Sequence, residues 1–205
     1  MIVGIVDYGR GNLMSVVSAV RRAGHEPVVG NRPEIVEQAD RIILPGVGAF
    51  GEAMNQLRGL GLVDALNMYV RDGGKPYLGI CVGAQIVTKE SDEFGRFEGL
   101  GWIDAEVRRL DGALQDVRIP HTGWDDVIQM KSTSLFTGIQ DREVFYYNHS
   151  HAIYCTDESL VIARSDYAGG FDAVLKKGRI YATLFHPEKS QRAGLQLIEN
   201  FLNVV

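Results

Sequence analysis

Tyr77-Leu78-Gly79-Ile80-Cys81-Val82-Gly83-Ala84 is the stretch on which the reading of this chain turns. The short apolar run Tyr77-Leu78 leads into an elbow of the form G-x-C-x-G, and a helix is expected from near Ala84. In a tight strand-to-helix turn, glycines beside the central residue remove Cβ atoms that would collide, so the central side chain projects into an open cleft. A sulfur held there meets the N–H dipoles of the helix end, and the thiolate is the nucleophilic form of cysteine. Taken alone, a cysteine among apolar residues is as readily a small buried hydrophobe. The rest of the chain separates the two readings.

Toward the C-terminus, the run Ile180-Tyr181-Ala182-Thr183-Leu184-Phe185 reads as a strand and is followed at once by His186-Pro187-Glu188. Its end delivers an imidazole and a carboxylate to the sheet edge where the elbow also lies. Cys81, His186 and Glu188 then make a triad in kind: a nucleophile, a general base, and a carboxylate that orients the imidazole. Toward the N-terminus, the strand-like Arg41-Ile42-Ile43-Leu44 is followed by Pro45-Gly46-Val47-Gly48. Glycines around Val47 leave backbone N–H groups free, and a tetrahedral oxyanion needs such donors; losing one costs about 3 kcal/mol of barrier stabilisation. The N–H groups of Val47 and Val82 are the expected pair. By itself Pro-Gly-x-Gly is an ordinary loop after a strand, so its meaning lies in the combination.

The first half alternates strands with helical patterns. Apolar residues over 2–6 are followed by Leu13, Val16, Val17 and Val20 at helical spacing. A short strand near 27–29, a helix around 33–38, the strand 41–44 and helical segments between 50 and 70 then lead to the elbow. This is the βαβ rhythm of an α/β fold, a parallel sheet with helices on both faces. The second half reads as strands at 102–110, 117–119, 144–147, 160–163, 173–175 and 179–184, several of them antiparallel. A final helix carries Leu195, Ile198, Phe201 and Leu202 on one face. No repeat, low-complexity tract or Pro/Gly/Ser linker divides the chain, so one domain over 1–205 is expected.

Composition bounds the function. With 205 residues and 45% hydrophobic content, the chain can bury one good-sized core. A formal net charge of -5, with basic residues scattered in pairs such as Arg108-Arg109, speaks against a nucleic-acid binder. Two cysteines, Cys81 and Cys155, do not make a disulfide framework, and Cys155 reads as a structural thiol. The apolar start is broken by Asp7 and lacks a basic leader, and no run nears the roughly 20 residues of a membrane span. A soluble cytoplasmic protein is expected. After Gly9-Arg10-Gly11 the position required for a dinucleotide loop is Met14, so a nucleotide cofactor is not expected. His149 and His151 lack the cysteine or carboxylate company of a metal site, and no cofactor is expected. The segment His121-Thr122-Gly123-Trp124 reads as a turn with a packed aromatic.

The Pro-Gly-x-Gly segment, the G-x-C-x-G elbow and the H-P-E-x-S tail, in that order, resemble the class I, or triad, glutamine amidotransferases. Further segments resemble the glutaminase subunit of imidazole glycerol phosphate synthase: Asp7 to Leu13, Pro120-His121-Thr122-Gly123-Trp124, His149-Ser150 and His186 to Gln191. The likeness spans about 2–201. It implies a flavodoxin-like α/β fold with a mainly parallel central sheet and an added antiparallel region. It also implies L-glutamine as substrate, seated by Gln85 and by backbone around Gly48, His149 and Ser150. A barrel-shaped cyclase would be the heterodimeric partner that receives ammonia, contacted by Asn12, Trp124 and Lys189. Departures from the subfamily pattern are Val82-Gly83-Ala84 after the cysteine, Asp125, Asn148 and His151. They bear on partner and acceptor, and the alternative they leave is a paralogous subunit that supplies ammonia for modifying surface-polysaccharide sugars. A non-catalytic subunit and a cysteine peptidase on the same elbow are further readings, both at odds with the combined motifs.

Overall fold

The computed structural model describes residues 1–204. In chain order, β1 (Ile2–Val6), α1 (Leu13–Arg22), β2 (Glu26–Gly30), α2 (Glu34–Gln38), β3 (Arg41–Gly46), α3 (Phe50–Gly59), α4 (Leu62–Leu66), β4 (Tyr77–Cys81) and α5 (Val82–Gln85) make the first half. The second half holds β5 (Glu90–Ser91), β6 (Phe97–Glu98), β7 (Ala105–Arg109), β8 (His121–Gln129), β9 (Glu143–His149), β10 (His151–Cys155), β11 (Val161–Ser165), β12 (Phe171–Lys177), β13 (Ile180–Thr183) and α6 (Gln191–Asn203).

Strands β2-β1-β3-β4-β13 lie side by side and parallel. Beyond β13 the sheet continues through β12 and β10 to β7 in antiparallel pairing, and β11, β8 and β9 form an antiparallel branch. The path from β1 through α1 to β2 runs toward one edge, whereas β2 through α2 to β3, and β3 through α3 and α4 to β4, run toward the other. Right-handed crossovers therefore put α1 on one face and α2, α3 and α4 on the opposite one. The packing agrees, since α1 meets α6 while α4 meets both α2 and α3. The order in which strands are added reverses between β1 and β3, and in such sheets ligands bind beyond the carboxyl ends of the strands. The loops after β1, β3, β4 and β13 all open there.

The inner parallel strands are buried on both faces, with Val3, Ile5, Ile42, Ile43, Leu44, Leu78 and Ile80 almost or fully inaccessible, while β2 at the edge is largely exposed. This is why they read as continuous apolar runs rather than alternating ones. Helix α1 buries Val16, Val17, Ala19 and Val20. On α6 the buried stripe is Leu197, Ile198, Phe201 and Leu202, while Leu195, expected in it, is only partly covered. Phe185 stacks on Phe145 with ring centroids 4.2 Å apart, tying the end of β13 to β9.

Four expectations need correction. The segment 117–119 is not a strand: Val117 N–H turns back to the Gly112 carbonyl and Pro120 has no N–H to donate to a ladder. The segment 121–124 is not a turn but the start of β8, paired with β9 in the register His121↔His149 and Trp124↔Tyr146. Strand β7 is shorter than expected, and the helix after the elbow begins at Val82, not Ala84, because the chain turns sharply at Cys81 itself. Among the described residues, no helix is long and apolar enough to cross a membrane.

Both elbow glycines are sterically required. A Cβ on Gly79 would overlap the Gly83 carbonyl, and one on Gly83 would overlap the Leu44 carbonyl. Gly83→Ala is expected to destabilise the fold by about 3 kcal/mol in urea titration, because backbone on β3 cannot yield. Gly59→Ala, with open space around it, is expected to be neutral or to stabilise by about 0.5 kcal/mol.

Candidate active site

Cys81 ends β4 with φ 54° and ψ −109°, a setting that costs an L-residue about 1–3 kcal/mol and persists only where the surroundings enforce it. Pairing with Gly46 on β3 and glycines at 79 and 83 supply that enforcement. Tyr77, fully buried, donates its hydroxyl to the Gly83 carbonyl at 2.8 Å and so braces the turn from beneath.

Three residues past β13, His186 is buried with Nδ1 2.9 Å from Glu188 Oε1. A carboxylate accepts, so Nδ1 carries the proton, and Nε2 is the nitrogen left for Cys81. Burial would lower the imidazole's pKa, but the Cys81 charge and hydrogen bond, with Glu188 behind, outweigh it and raise it to about 10. His186 is thus an imidazolium at neutral pH. Nε2 has no fully formed hydrogen bond at rest, and Glu188 Oε2 is buried without a partner. The tail is anchored to β9, since His186 N–H donates to the Tyr146 carbonyl at 2.8 Å and Tyr146 N–H donates to Ser190 Oγ at 2.9 Å. Ser190 in turn donates to the His186 carbonyl at 2.6 Å, which accounts for the serine of H-P-E-x-S.

A cleft opens beside Cys81, lined by Val47, Gly48, Val82, Gln85, His149 and Ser150, the six residues expected to hold substrate or oxyanion. Glu93, Asn148 and His151 line it as well. Gln85 Nε2 donates to the His151 carbonyl at 2.9 Å. Sequence reasoning missed Glu93. Burial opposes its charge, but His151 and the Phe50 N–H, which donates to Oε2 at 2.8 Å, hold its carboxyl below the usual range. It is a fixed anion at the mouth of the site. No motif marks Glu93, which lies in the loop between β5 and β6; only the N-terminus of α3 it bonds to places it here.

Behind the cleft runs a chain of buried polar groups. His149 Nδ1 lies 3.0 Å from the His151 carbonyl and must donate, so its Nε2 accepts from His121 Nδ1 at 3.3 Å. His121 Nε2 lies 3.2 Å from Asp125 Oδ2. The His121 bond holds the Asp125 carboxyl below its usual range. His121 is sandwiched by Tyr147 and Tyr167, with centroids 4.6 Å and 3.8 Å away. Burial and the neighbouring His121 lower the His149 pKa to about 3, so it stays neutral.

Of the three expected contact residues, Trp124 and Lys189 meet at one side chain: Trp124 packs edge-on to Tyr146 and Lys189 Nζ lies 5.5 Å from the centre of its ring. Trp124 is 47% exposed, large for an indole. Asn12 lies on the loop before α1, which packs against the Pro187–Lys189 turn. Cys81 and Cys155 are both free thiols, the latter partly exposed. Among the described residues, no group of three or more His, Cys, Asp or Glu side chains is arranged to hold a metal ion.

Strained cysteine elbow, buried histidine and carboxylate, and a parallel sheet with its site beyond the carboxyl ends of β3 and β4 define a class. Residues 4–205 match the family described as glutamine amidotransferase class-I, and the chain belongs to that family. Among solved structures, a glutamine amidotransferase superposes with a TM-score of 0.76 at 22% identity, covering 98% of this chain and 97% of that one. PurLQS from Thermotoga maritima gives a TM-score of 0.76 at 16% identity, covering 98% and 97%. Both likenesses show the fold. Imidazole glycerol phosphate synthase subunit HisH 1 of Campylobacter jejuni subsp. jejuni serotype O:23/36 (strain 81-176) is 43% identical over 199 residues, 97% of this chain and 98% of that protein. The HisH subunit of Aquifex aeolicus (strain VF5) is 40% identical over 198 residues, 96% and 94% of the two chains. Within its class, the chain is therefore a member of the HisH family.

The two perturbed histidines give stability a pH dependence of known sign. Between pH 6.5 and about 3 the unfolded chain protonates His149 and the folded chain does not, so stability is lost as pH falls through that window. His186 is protonated in both states there, and its contribution is lost only as pH rises from 6.5 through about 10. The midpoint of thermal unfolding is expected to fall on acidification below pH 6.5, and His149→Gln to flatten that acid limb; an unchanged slope would contradict the assignment.

Proposed function

We propose that this chain is the glutaminase subunit of an imidazole glycerol phosphate synthase. It hydrolyses L-glutamine to L-glutamate and ammonia and passes the ammonia to a barrel-shaped cyclase subunit. That partner uses it to make imidazole glycerol phosphate and an aminoimidazole carboxamide ribonucleotide in histidine biosynthesis. The observation that carries the chemistry is His186, braced by Glu188 and facing Cys81 at the strained elbow beside the cleft. Similarity along nearly the whole chain to HisH subunits supports the histidine acceptor. The surface-sugar alternative is not favoured, because the curated relatives carry the histidine-pathway name.

With the proton already on His186, the Cys81 thiolate attacks the carboxamide carbon of glutamine. The oxyanion is met by the N–H groups of Val82 and Val47. As the C–N bond breaks, His186 Nε2 gives its proton to the leaving nitrogen, and ammonia departs from a γ-glutamyl thioester. Water then attacks the thioester, Nε2 takes its proton, and the C–S bond breaks to return the thiolate and glutamate. Glu188 keeps the imidazole in one tautomer throughout. The anionic Glu93 is suited to the α-ammonium of glutamine, with Gln85 and the backbone of Gly48, His149 and Ser150 around the rest of the amino acid.

Ammonia in neutral water is mostly ammonium, which is not a nucleophile, so a sealed route to the acceptor is needed. The chain acts as one domain over 1–205 in a cytoplasmic heterodimer, with Asn12, Trp124 and Lys189 facing the cyclase. A half-exposed tryptophan is the kind of anchor that concentrates binding energy.

Cys81→Ala is expected to lower glutamine-dependent synthesis by the complex more than about a thousandfold while ammonia-dependent synthesis by the partner persists; loss of both activities would sink this division of labour. Glu93→Gln is expected to raise KM for glutamine by at least about tenfold, the scale of one charge-assisted hydrogen bond, with a smaller change in kcat.

A further inference from the structure

The cleft lies beyond the carboxyl ends of the parallel strands, and a second pocket opens at their amino ends. It has a volume of about 420 Å³ and sits where Lys75 leads into β4, where Arg179 leads into β13 and where Lys177 ends β12. Two backbone bonds set these chain ends side by side. Tyr77 N–H donates to the Arg179 carbonyl at 3.1 Å, and Ile42 N–H donates to the Pro76 carbonyl at 2.9 Å. Strand β4 runs from Tyr77 at this end to Cys81 at the cleft, roughly 13 Å at about 3.3 Å per residue. The two sites are therefore separate.

The charged side chains that line the pocket are Arg71, Lys75, Lys177 and Arg179, with no acid among them, in a chain whose formal net charge is -5. Of these four, only Arg71 is ion-paired among the described residues, with Asp72 at 2.7 Å. Lys75 Nζ donates to the Val36 and Glu37 carbonyls at 2.5 Å and 2.7 Å, and Lys177 Nζ donates to the Trp102 carbonyl at 2.6 Å. Neutral acceptors fix an ammonium in place without cancelling its charge. Arg179 has neither an ion pair nor a side-chain hydrogen bond among the described residues. Arg41, the first residue of β3, is close to it: burial and then the Arg179 charge disfavour the Arg41 cation, with Asp40 opposing, and Arg41 Nη1 is buried without a partner. Backbone register thus crowds like charges together, an arrangement that an anion in the pocket would relieve. Val70, Trp102 and Ile180, nearly inaccessible, give the pocket an apolar base. At its rim Gly74, Gly101 and Gly178 have open space where a side chain would begin, so nothing closes the entrance there.

We propose that this pocket is a binding site for a compound carrying two or more phosphate groups, held by Arg179 and Lys177 with Arg71, Lys75 and Arg41 adding charge around them. A guanidinium presents a fork of donors that matches phosphate oxygens, and an ammonium already bonded to one carbonyl keeps two donors free. Several fixed cations in one pocket suit a ligand with several negative charges better than a single carboxylate. An inorganic polyphosphate and a nucleotide share this chemistry; only the nucleotide has an apolar part for the base formed by Val70, Trp102 and Ile180. The site stands independently of the reaction at Cys81.

The full chain is titrated calorimetrically with inorganic pyrophosphate and, separately, with ATP, both without divalent metal and at about 0.15 M salt, where loose surface attraction is screened. Saturable binding of at least one probe is expected, with Kd below about 1 mM. Tighter binding of ATP than of pyrophosphate assigns the site to a nucleotide, and equal or weaker binding assigns it to the phosphate groups alone. Arg179→Gln is expected to weaken binding by at least about tenfold, the scale of one charge-assisted hydrogen bond. Because Arg179 is exposed and bonded to nothing by its side chain, the variant is expected to keep its thermal midpoint. Arg21→Gln removes one exposed charge at the end of α1 and is expected to change Kd by less than about twofold. Failure of both probes to saturate, or equal effects of the two variants, overturns the proposal. A further measurement needs no variant: alkylation of Cys81 by iodoacetamide occupies the cleft and is expected to leave Kd unchanged. Loss of binding on alkylation would place the anion in the cleft and overturn the second site, whatever reaction Cys81 performs.

Discussion

The reversed backbone at Cys81 is the constraint around which the rest of the molecule is arranged. An L-residue at φ 54° and ψ −109° relaxes unless its neighbours forbid it. Here β4 is gripped on both sides, by β3 in the register Gly46↔Cys81 and by β13 in the register Ile80↔Thr183. Glycines at 79 and 83 let the turn close to within contact of the Gly83 and Leu44 carbonyls. The same close approach demands glycine at 46, which opens the space that Tyr8 enters. Strain at the sulfur and the shape of the loop facing it thus have one origin in strand pairing.

Electrostatics then divides two histidines that burial alone would treat alike. His186 and His149 are both nearly inaccessible, yet one has its pKa raised to about 10 and the other lowered to about 3. The difference lies in what each ring nitrogen faces. His186 sits between a carboxylate and the cysteine, which favour the imidazolium; His149 sits between a carbonyl and another histidine, which leave it neutral. The first arrangement suits proton transfer, and the second gives the cleft an uncharged wall. Asp125, at the far end of the His149 chain and next to Trp124, links that wall to the strand expected to face the partner.

The hairpin of β8 and β9 is where sequence reading fell short. Its first residues were expected to be a turn because Gly123 and a polar neighbourhood dilute the alternation of a strand, and because the pairing that stabilises it comes from β9, some twenty residues later. The apolar segment 117–119 misled in the opposite sense, since hydrophobicity without an available ladder partner does not make a strand. Glu93 was invisible for a related reason: an acidic residue in a polar loop carries no local mark, and its charge and placement come from His151 and the end of α3.

By itself the sequence determined the βαβ order, the elbow with its required glycines, and the choice of Cys81, His186 and Glu188 as candidates, because each depends on local sterics or on residue types that few other purposes demand together. Only the tertiary structure decided which side chains surround them: Glu93 at the cleft mouth, His121 and Asp125 behind it, Tyr146 between Trp124 and Lys189, and Tyr8 beneath Gly46. Those neighbours come from segments far apart in the chain. Packing and hydrogen-bond geometry join them, and neither leaves a periodicity or a motif to be read in advance.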